Sequence, residues 1–316
     1  MVLSHMVKST LTTWETGRKA IIDKISKAAN ELNPTNDRIA FIERMISLSR
    51  LLMKYDLHFS SKFKTIDEKA QDPTYFVSTY FETKDIDQAL WVYRMVRFLA
   101  RYILLYDKFF ETGDNGYALL AKKVRRSINE ILINGSDKQH HLNYSIDFSL
   151  KQFWPFWKFE QVVKRRMLEG NTFSYNEIRN YSLCKSSDAS TIYARVLDAK
   201  LPSFNENVSL VLHYNQALLD LIDDWHDIEE DIQGDMPNVF LMAAIENVPY
   251  NIIKKSNVTK RRNIILYSLE SSKSSIIRLV DEYQASIRNI SIPGSLVFLK
   301  LLSDHHADTL RHDISS

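Results

Sequence analysis

The sequence is poor in the residues that interrupt helices. Only seven glycines and seven prolines occur in 316 residues, which is about half of average usage or less. Alternation of apolar and polar residues, the pattern of a strand, is not sustained anywhere, whereas apolar residues recur at helical spacing along most of the chain. The sequence therefore predicts an all-α protein built from long helices.

Cysteine, long apolar runs and an excess of one charge are also lacking. The single cysteine, Cys184, excludes an intramolecular disulfide and a CxxC metal site. No run reaches the roughly 18 apolar residues of a spanning helix, and the N-terminus lacks the apolar stretch of a signal peptide. A net charge of +2 creates no field that would draw the chain to nucleic acid. We therefore expect a soluble, cytoplasmic protein without a transmembrane segment and without a nucleic-acid partner.

Helical spacing predicts where the helices lie. Residues 86–110 are strongly apolar and are expected to form a buried helix at the centre of a bundle. Other helices are predicted over 21–32, 39–52, 117–132, 145–168, 175–199, 207–231, 239–245, 261–290 and 293–311. No linker-like segment or internal repeat separates them. We therefore expect residues 1–316 to form a single all-helical domain.

One segment is unusually acidic. Eight carboxylates lie among the sixteen residues of 220–235, and no Lys or Arg occurs between positions 200 and 254 to balance them. In a continuous helix, Asp223, Asp227 and Asp231 would lie on one side of three successive turns, where like charges repel. Carboxylate oxygens in a row suit a hard divalent cation such as Mg²⁺. A metal site is our first interpretation, and a solvated acidic helix is the alternative.

Residues 223–231, DDWHDIEED, read D-D-x-x-D-x-x-x-D. This pattern resembles the second aspartate-rich motif of class I isoprenoid synthases, which include trans-prenyl diphosphate synthases, squalene and phytoene synthases, and terpene cyclases. The resemblance covers roughly residues 86–238 and implies an antiparallel helical bundle around a central cavity, a prenyl diphosphate substrate and three Mg²⁺ ions per site. It implies four metal ligands in this segment: Asp223, Asp224, Asp227 and Asp231.

Such enzymes carry a further acidic motif, D-D-x-x-D or D-D-x-x-E, that faces the first across the cavity. Residues 107–111, DKFFE, resemble it. Asp107 and Glu111 are one helical turn apart and can point the same way, so both are expected to ligate Mg²⁺, and Arg97 on the same helix is expected to bind substrate. Lys108 departs from the motif because a lysine cannot ligate Mg²⁺. An ordinary helix end is the alternative interpretation.

A diphosphate also needs cations from the protein. Arg179 and Lys185 lie on the predicted helix before the acidic segment, near the place of the diphosphate-sensing arginine of terpene cyclases and of the Lys-Thr pair of prenyl diphosphate synthases. The resemblance implies that Arg179 or Lys185 neutralises the leaving group, and that Lys185 with Ser186 binds substrate. Arg311 is expected to cap the closed site. For each of these residues, an ordinary surface position is the alternative.

Other features are weaker predictions. The short basic runs are interpreted as solvated, or as possible contacts with a diphosphate or with an anionic membrane surface: Lys122-Lys123, Arg125-Arg126 and Lys164-Arg165-Arg166. Four aromatic residues are expected to be mostly core: Trp154, Phe156, Trp157 and Phe159. The pairs His140-His141 and His305-His306 lack metal-ligand spacing and are expected to be exposed.

The resemblance as a whole implies a Mg²⁺-dependent class I terpene synthase. It would ionise a prenyl diphosphate to an allylic cation and release diphosphate with a terpene product. A chain-elongating enzyme is less well matched, because segments that resemble the second diphosphate site of those enzymes are not found. A head-to-head condensing enzyme is an alternative, and Lys108 keeps a non-catalytic partner subunit or a plain helical bundle open. A homodimer is among the expected assemblies.

Overall fold

The computed structural model describes residues 19–34, 37–55, 73–133, 153–201, 203–271 and 275–315. These residues form helices and connecting turns, and none of them lies in a strand. The prediction of an all-α protein is therefore confirmed. The described chain groups into two compact units, Met1–His140 with Val196–Ser203, and His141–Arg195 with Phe204–Ser316. The expectation of one domain stays a prediction.

The first unit is organised around its longest helix. Residues 19–30 are helical (α1) and are followed by α2 (Arg38–Tyr55), α3 (Thr74–Thr83), α4 (Ile86–Thr112) and α5 (Asn115–Ile133). The side chain of Asp85 accepts hydrogen bonds from two main-chain N–H groups at the start of α4, and Gly113 ends the helix with a φ of 70°, a conformation that glycine adopts without strain. Helix α4 packs against α3 and α5. The predicted buried helix is thus confirmed.

The second unit holds the acidic segment. Its helices are α6 (Phe153–Leu168), α7 (Tyr175–Asp198), α8 (Glu206–His226), α9 (Ile228–Gly234), α10 (Val239–Ala244), α11 (Tyr250–Lys255), α12 (Val258–Ser271), α13 (Ser275–Asn289) and α14 (Phe298–Ser315), with a 3₁₀ turn at Gly294–Leu296. The last turn of α7 belongs to the first unit. Helix α8 packs against α10, α13 and α14. Its apolar side, which includes Leu218 and Leu221, is buried in this packing.

Several predicted helices differ from those observed. The helix predicted over 207–231 is interrupted at Asp227. The helix predicted over 261–290 is seen as α12 and α13, and residues 272–274 between them lie outside the described chain. Helices α3 and α11 were not predicted: the apolar residues of α3 are buried on several sides and show no one-sided pattern, and α11 has only six residues.

Some side chains also lie where the sequence did not place them. The expectation that His305 and His306 are exposed is wrong, because both are partly buried and burial lowers the pKa of His306 to about 3. Phe159 is not core, since 38% of its surface is exposed. The side chain of Trp154 and the pair at 140–141 lie outside the described part of the structure.

Within the described ranges, no helix is both long enough and apolar enough to cross a bilayer.

Candidate active site

The acidic segment bends at Asp227 and keeps its helical repeat. Asp227 has a φ of −89° and a ψ of 4° and separates α8 from α9. Its main-chain N–H still bonds to the oxygen of Asp223 at 2.8 Å, and the N–H of Asp231 bonds to that of Asp227 at 2.9 Å. The three aspartates therefore follow one another at intervals of one turn, as predicted, although the continuous helix is not present. Asp223 is exposed, and Asp227 and Asp231 are partly buried.

A side chain from the next helix explains the bend. Asn238 is fully buried, and its Nδ2 donates to the main-chain oxygen of Asp224 at 2.6 Å and to Oδ2 of Asp231 at 2.7 Å. A side chain that enters the ladder of main-chain bonds in this way kinks or interrupts a helix. The Oδ1 of Asn238 accepts from the N–H of Phe240 at 2.9 Å and caps α10. Asn238 thus joins α8, α9 and α10.

Sequence reasoning did not assign Asn238 to the site. Its signal was present, because an asparagine directly before an apolar run is a common N-cap. That signal predicts the cap on α10, but it does not predict the second contact, with the acidic segment.

The structure brings together two predicted site residues, Lys185 and Asp224. The Nζ of Lys185 on α7 lies 2.5 Å from Oδ1 of Asp224 on α8. The other carboxylate oxygen of Asp224 accepts from the N–H of Val239 at 2.9 Å. The Asp224 side chain is 2% exposed and that of Lys185 is 32% exposed. Asp224 therefore faces the protein interior, whereas its neighbour Asp223 faces solvent.

Lys185 is held in its charged form. Burial opposes the charge of Lys185, but the negative charge of Asp224, together with Tyr181 and Asp220, outweighs burial and raises the Lys185 pKa well above its usual value. Burial also raises the pKa of Tyr181 well above the ordinary value for tyrosine. The hydroxyl of Tyr181 donates to Oε1 of Glu160 at 3.1 Å. A permanent cation therefore lies beside the acidic segment.

Asp231 is the carboxylate on which burial and repulsion act most clearly. The Asp231 pKa is raised to about 7. Burial is the largest cause, the charges of Asp224 and Asp227 also raise the pKa, and Asn238 and Lys185 lower it. A carboxyl with this pKa carries a proton in a large fraction of molecules at neutral pH. Burial and the nearby charges of Asp224 and Asp227 therefore disfavour the ionised form of Asp231, and a bound cation would stabilise that form.

The metal-free protein should show this effect in its stability. Asp231 binds its proton more tightly when folded (pKa about 7) than when unfolded (about 3.8), so the wild type loses stability as pH rises through this window and loses no more above it. Asp231→Asn removes the ionisable group. In urea unfolding with chelator, we expect its advantage over the wild type to grow by about 2 kcal/mol between pH 5 and pH 8.

Asp23→Asn, at an exposed aspartate of α1, is the control and should show no comparable pH dependence. An advantage for Asp231→Asn that stays constant over the whole pH range would contradict the assignment of the titrating group to Asp231.

The second predicted diphosphate-binding cation, Arg179, points to a different helix. Its Nε lies 2.5 Å from Oε1 of Glu282 on α13. The hydroxyl of Tyr175 donates to the other oxygen of Glu282 at 2.7 Å. The hydrogen bond with Glu282 raises the pKa of Arg179. Arg179 and Lys185 thus share α7, but their partners lie on α13 and on α8.

Arg311 contacts neighbouring side chains of α13 and α14. Its NH2 donates to Oδ1 of Asp281 at 2.7 Å and to Oε1 of Gln284 at 2.8 Å, and its NH1 donates to Oδ1 of Asp308 at 3.2 Å. The predicted partner Ser186 lies in α7, but its side chain lies outside the described structure.

The other acidic motif belongs to the first unit, at the end of α4. Lys108 Nζ lies 2.7 Å from Oε2 of Glu111, and both side chains are partly exposed. Asp107 is partly buried. Arg97, two to three turns earlier in the same helix, is 4% exposed. Lys108 thus contacts the carboxylate that the motif would use as a ligand.

Comparison with known proteins identifies structures with a similar fold. No protein-family model matches the sequence, and no curated protein matches it closely. Among solved structures, a polyprenyl synthase from Roseobacter denitrificans is similar, with a TM-score of 0.59 and 10% sequence identity over 87% of this chain and 99% of that one. The chain has an isoprenoid synthase fold. The resemblance read from residues 223–231 is confirmed at this level.

The isoprenoid synthase fold raises the question of whether these side chains suit Mg²⁺. In the described ranges, no three His, Cys, Asp or Glu side chains form a cluster that could hold a metal ion by themselves. Mg²⁺ bound with a phosphate usually needs only one or two carboxylates, because phosphate oxygens and waters complete its shell. Burial and the charges of Asp224 and Asp227 disfavour the ionised form of Asp231, and such a cation would stabilise that form. The donor set therefore fits a cation delivered with a diphosphate.

Proposed function

We propose that the protein is a Mg²⁺-dependent terpene synthase that ionises an allylic prenyl diphosphate and releases diphosphate with a terpene product. The observation that carries the proposal is the permanently charged Lys185 beside the acidic segment, in a chain with an isoprenoid synthase fold. A diphosphate leaving group needs both cationic donors and carboxylates that hold metal ions, and α7, α8 and α9 supply both.

In this proposal, each residue near Lys185 has a distinct role. Bound Mg²⁺ would neutralise charge on the departing diphosphate. Asp223, Asp227 and Asp231 supply carboxylate oxygens to it, and Asn238 holds Asp231 through the 2.7 Å hydrogen bond. Asp224 orients Lys185, whose side chain is partly exposed and whose Nζ would donate to a diphosphate oxygen.

Arg179 is the second candidate for contact with the diphosphate. It must first exchange the carboxylate of Glu282 for a phosphate oxygen, so we place its role after that of Lys185. Asp107 and Glu111 are proposed as further metal ligands.

A prenyltransferase is the second candidate function. It is favoured by the similar solved structure, which is a polyprenyl synthase. The Lys108–Glu111 contact favours a third candidate, a non-catalytic partner subunit whose first acidic motif has lost its metal. These candidates differ in what they consume.

The deciding experiment supplies the purified protein with Mg²⁺ and with geranyl, farnesyl, geranylgeranyl or longer prenyl diphosphates, each with and without isopentenyl diphosphate. Pyrophosphate release and extracted products are followed. We expect release from a single allylic substrate, with a hydrocarbon or alcohol as product. Release only with isopentenyl diphosphate would mean chain elongation, and two identical substrates consumed per product would mean head-to-head condensation. No turnover with any substrate would favour the partner subunit.

Lys108 allows a separate test of the first acidic motif. Lys108→Ala frees Glu111 from its ion pair and removes a positive charge near the proposed ligands. We expect the Mg²⁺ concentration for half-maximal activity to fall about threefold to tenfold, with a change in unfolding free energy below about 1 kcal/mol because the pair is exposed. Lys123→Ala, at an exposed lysine of α5, should leave the Mg²⁺ dependence unchanged. Equal Mg²⁺ dependence in all three proteins would remove Asp107 and Glu111 from the metal site.

A further inference from the structure

Helix α6 exposes an apolar face to solvent. Phe159, Val162 and Leu168 are 38%, 43% and 49% exposed, and helical spacing spreads them over the outward half of the helix, with Val162 between the other two. Val163 and Met167 on the other side are buried. A surface helix normally turns its large apolar side chains inward. The Phe159 ring lies 6.2 Å from that of the buried Tyr181, but the exposed part of Phe159 and the exposed Val162 and Leu168 still need an explanation.

Basic residues share this face. Lys158 and Arg165 are exposed between and beside the apolar residues. The only acidic residue from 155 to 168 is Glu160, and it accepts a hydrogen bond from the buried Tyr181. The outward side of α6 thus combines apolar and positively charged groups without a carboxylate. We call these five residues the α6 face: Lys158, Phe159, Val162, Arg165 and Leu168.

The neighbouring surface has the same character. Helix α6 packs against α11, and both reach the turn between α9 and α10, since Lys164 donates to the oxygen of Gly234 at 3.2 Å and Lys254 to Oδ1 of Asp235 at 2.6 Å. Residues 251–262 contain five basic residues and no acidic one. Two exposed aliphatic residues lie among them, Ile252 (50%) and Val258 (56%).

The positive charge of this segment is only partly neutralised. Lys254 pairs with Asp235, and Arg261 pairs with Glu229. Lys255, Lys260 and Arg262 are exposed and extend the positive surface. In a chain whose net charge is only +2, this is a local concentration of one sign.

We propose that the α6 face, with α11 and the first turn of α12, is a docking surface for an anionic lipid bilayer. Lysine and arginine are attracted to acidic headgroups, while side chains such as Phe159 and Val162 enter the boundary between headgroups and acyl chains. The helices lie on the bilayer and do not cross it. The surface does not include the residues proposed to hold Mg²⁺ or diphosphate, and its test does not require an active enzyme.

The charge of the α6 face favours a bilayer, and not a second copy of the chain, as its binding partner. In a two-fold dimer, the same patch meets itself, which would bring the Lys158 and Arg165 side chains of both copies together without a carboxylate between them. A bilayer supplies negative charge over the whole contact. The interspersed pattern also suits it, because long basic side chains can extend to the headgroups while their aliphatic parts cover apolar surface.

Co-sedimentation with lipid vesicles tests the proposal. Vesicles of phosphatidylcholine alone are compared with vesicles that also contain phosphatidylglycerol, at ~0.1 M and ~0.5 M salt. We expect at least about tenfold stronger binding to the anionic vesicles at low salt, and a marked loss at high salt. Lys158→Gln with Arg165→Gln should weaken the binding about 10- to 30-fold, and Phe159→Ser with Val162→Ser should weaken it by at least about tenfold.

Matched control variants remove basic or apolar side chains of the same kind from helices α1 and α2. Lys24→Gln with Lys27→Gln makes the same change of charge at exposed residues of α1. Ile39→Ser with Ile46→Ser removes apolar side chains that are 69% and 48% exposed on α2. Both controls should leave the binding within about twofold of the wild type. Circular dichroism should stay unchanged in all variants. The urea midpoint should stay unchanged in the charge variants and in the controls, whereas Phe159→Ser with Val162→Ser should lower it, because the Phe159 ring lies 6.2 Å from that of the buried Tyr181.

Three outcomes would overturn the proposal. These are no binding to anionic vesicles, equal binding to neutral and anionic vesicles, and equal loss in the α6 variants and in the controls. Light scattering adds a fourth: a dimeric wild type that becomes monomeric in the α6 variants would make this face an interface between copies of the chain.

Discussion

Asparagine in place of Asp223 or Asp227 is expected to lower the turnover of a prenyl diphosphate by about 100-fold or more while the helical fold stays intact. Removal of one group that stabilises charge in a transition state typically costs about 10²–10³ in rate. Asp223 is exposed and Asp227 is partly buried, and both lie next to other carboxylates. Their replacement therefore relieves repulsion and should not destabilise the protein.

Two measurements separate the loss of chemistry from the loss of structure. Pyrophosphate release reports turnover, and circular dichroism reports helix content. Calorimetric titration with pyrophosphate and Mg²⁺ adds a readout that does not depend on the right prenyl chain, and binding should weaken in both variants. Glu230→Gln, at an exposed carboxylate of α9, is the control. If turnover and pyrophosphate binding in the Asp223 and Asp227 variants equalled those of the wild type, the metal-site hypothesis would be wrong. The acidic segment would then be interpreted as a solvated helix.

Lys185→Met is expected to destabilise the protein by about 3 kcal/mol at neutral pH. It leaves the carboxylate of Asp224, which is 2% exposed, with the hydrogen bond from the N–H of Val239 but without its cation. An uncompensated buried charge typically costs about 3–5 kcal/mol. We expect the lower end of this energy range because Lys185 is partly exposed. Urea unfolding without metal measures the cost.

The partner residue provides the internal control for Lys185→Met. Lys185→Met with Asp224→Asn removes both charges and keeps an acceptor for Val239, so most of the stability should return. Lys254→Met makes the same chemical change in an exposed ion pair with Asp235 and should cost less than about 1 kcal/mol. Equal losses in Lys185→Met and Lys254→Met would show that burial of Asp224 is not what makes the first pair important.

Local sequence patterns were sufficient to predict the fold class and the position of the acidic segment. Few glycines and prolines and a steady helical repeat predict long helices, and α4 begins at Ile86 as predicted. The spacing of Asp223, Asp227 and Asp231 depends only on the turn of a helix, so their succession survives the bend at Asp227. These features involve residues within a few positions of one another.

Contacts between distant residues were not visible in these patterns. Asn238 lies seven residues after Asp231 and interrupts α8 from outside. Lys185 was predicted as a site residue and Asp224 as a metal ligand, but nothing in the spacing indicates that they pair with each other. Phe159 was expected in the core because it is aromatic, yet 38% of its surface is exposed.

The sequence by itself determined that the protein is all-α, that its carboxylates are concentrated in residues 220–235, and that cations precede them on another helix. Each of these follows from composition or from the helical repeat. Only the tertiary structure decided which carboxylate is buried against Lys185, which keeps a proton near neutral pH, and which helix presents apolar side chains to solvent. The physical reason is that burial, pKa and ion pairing depend on neighbours brought together by packing, and those neighbours are far apart along the chain.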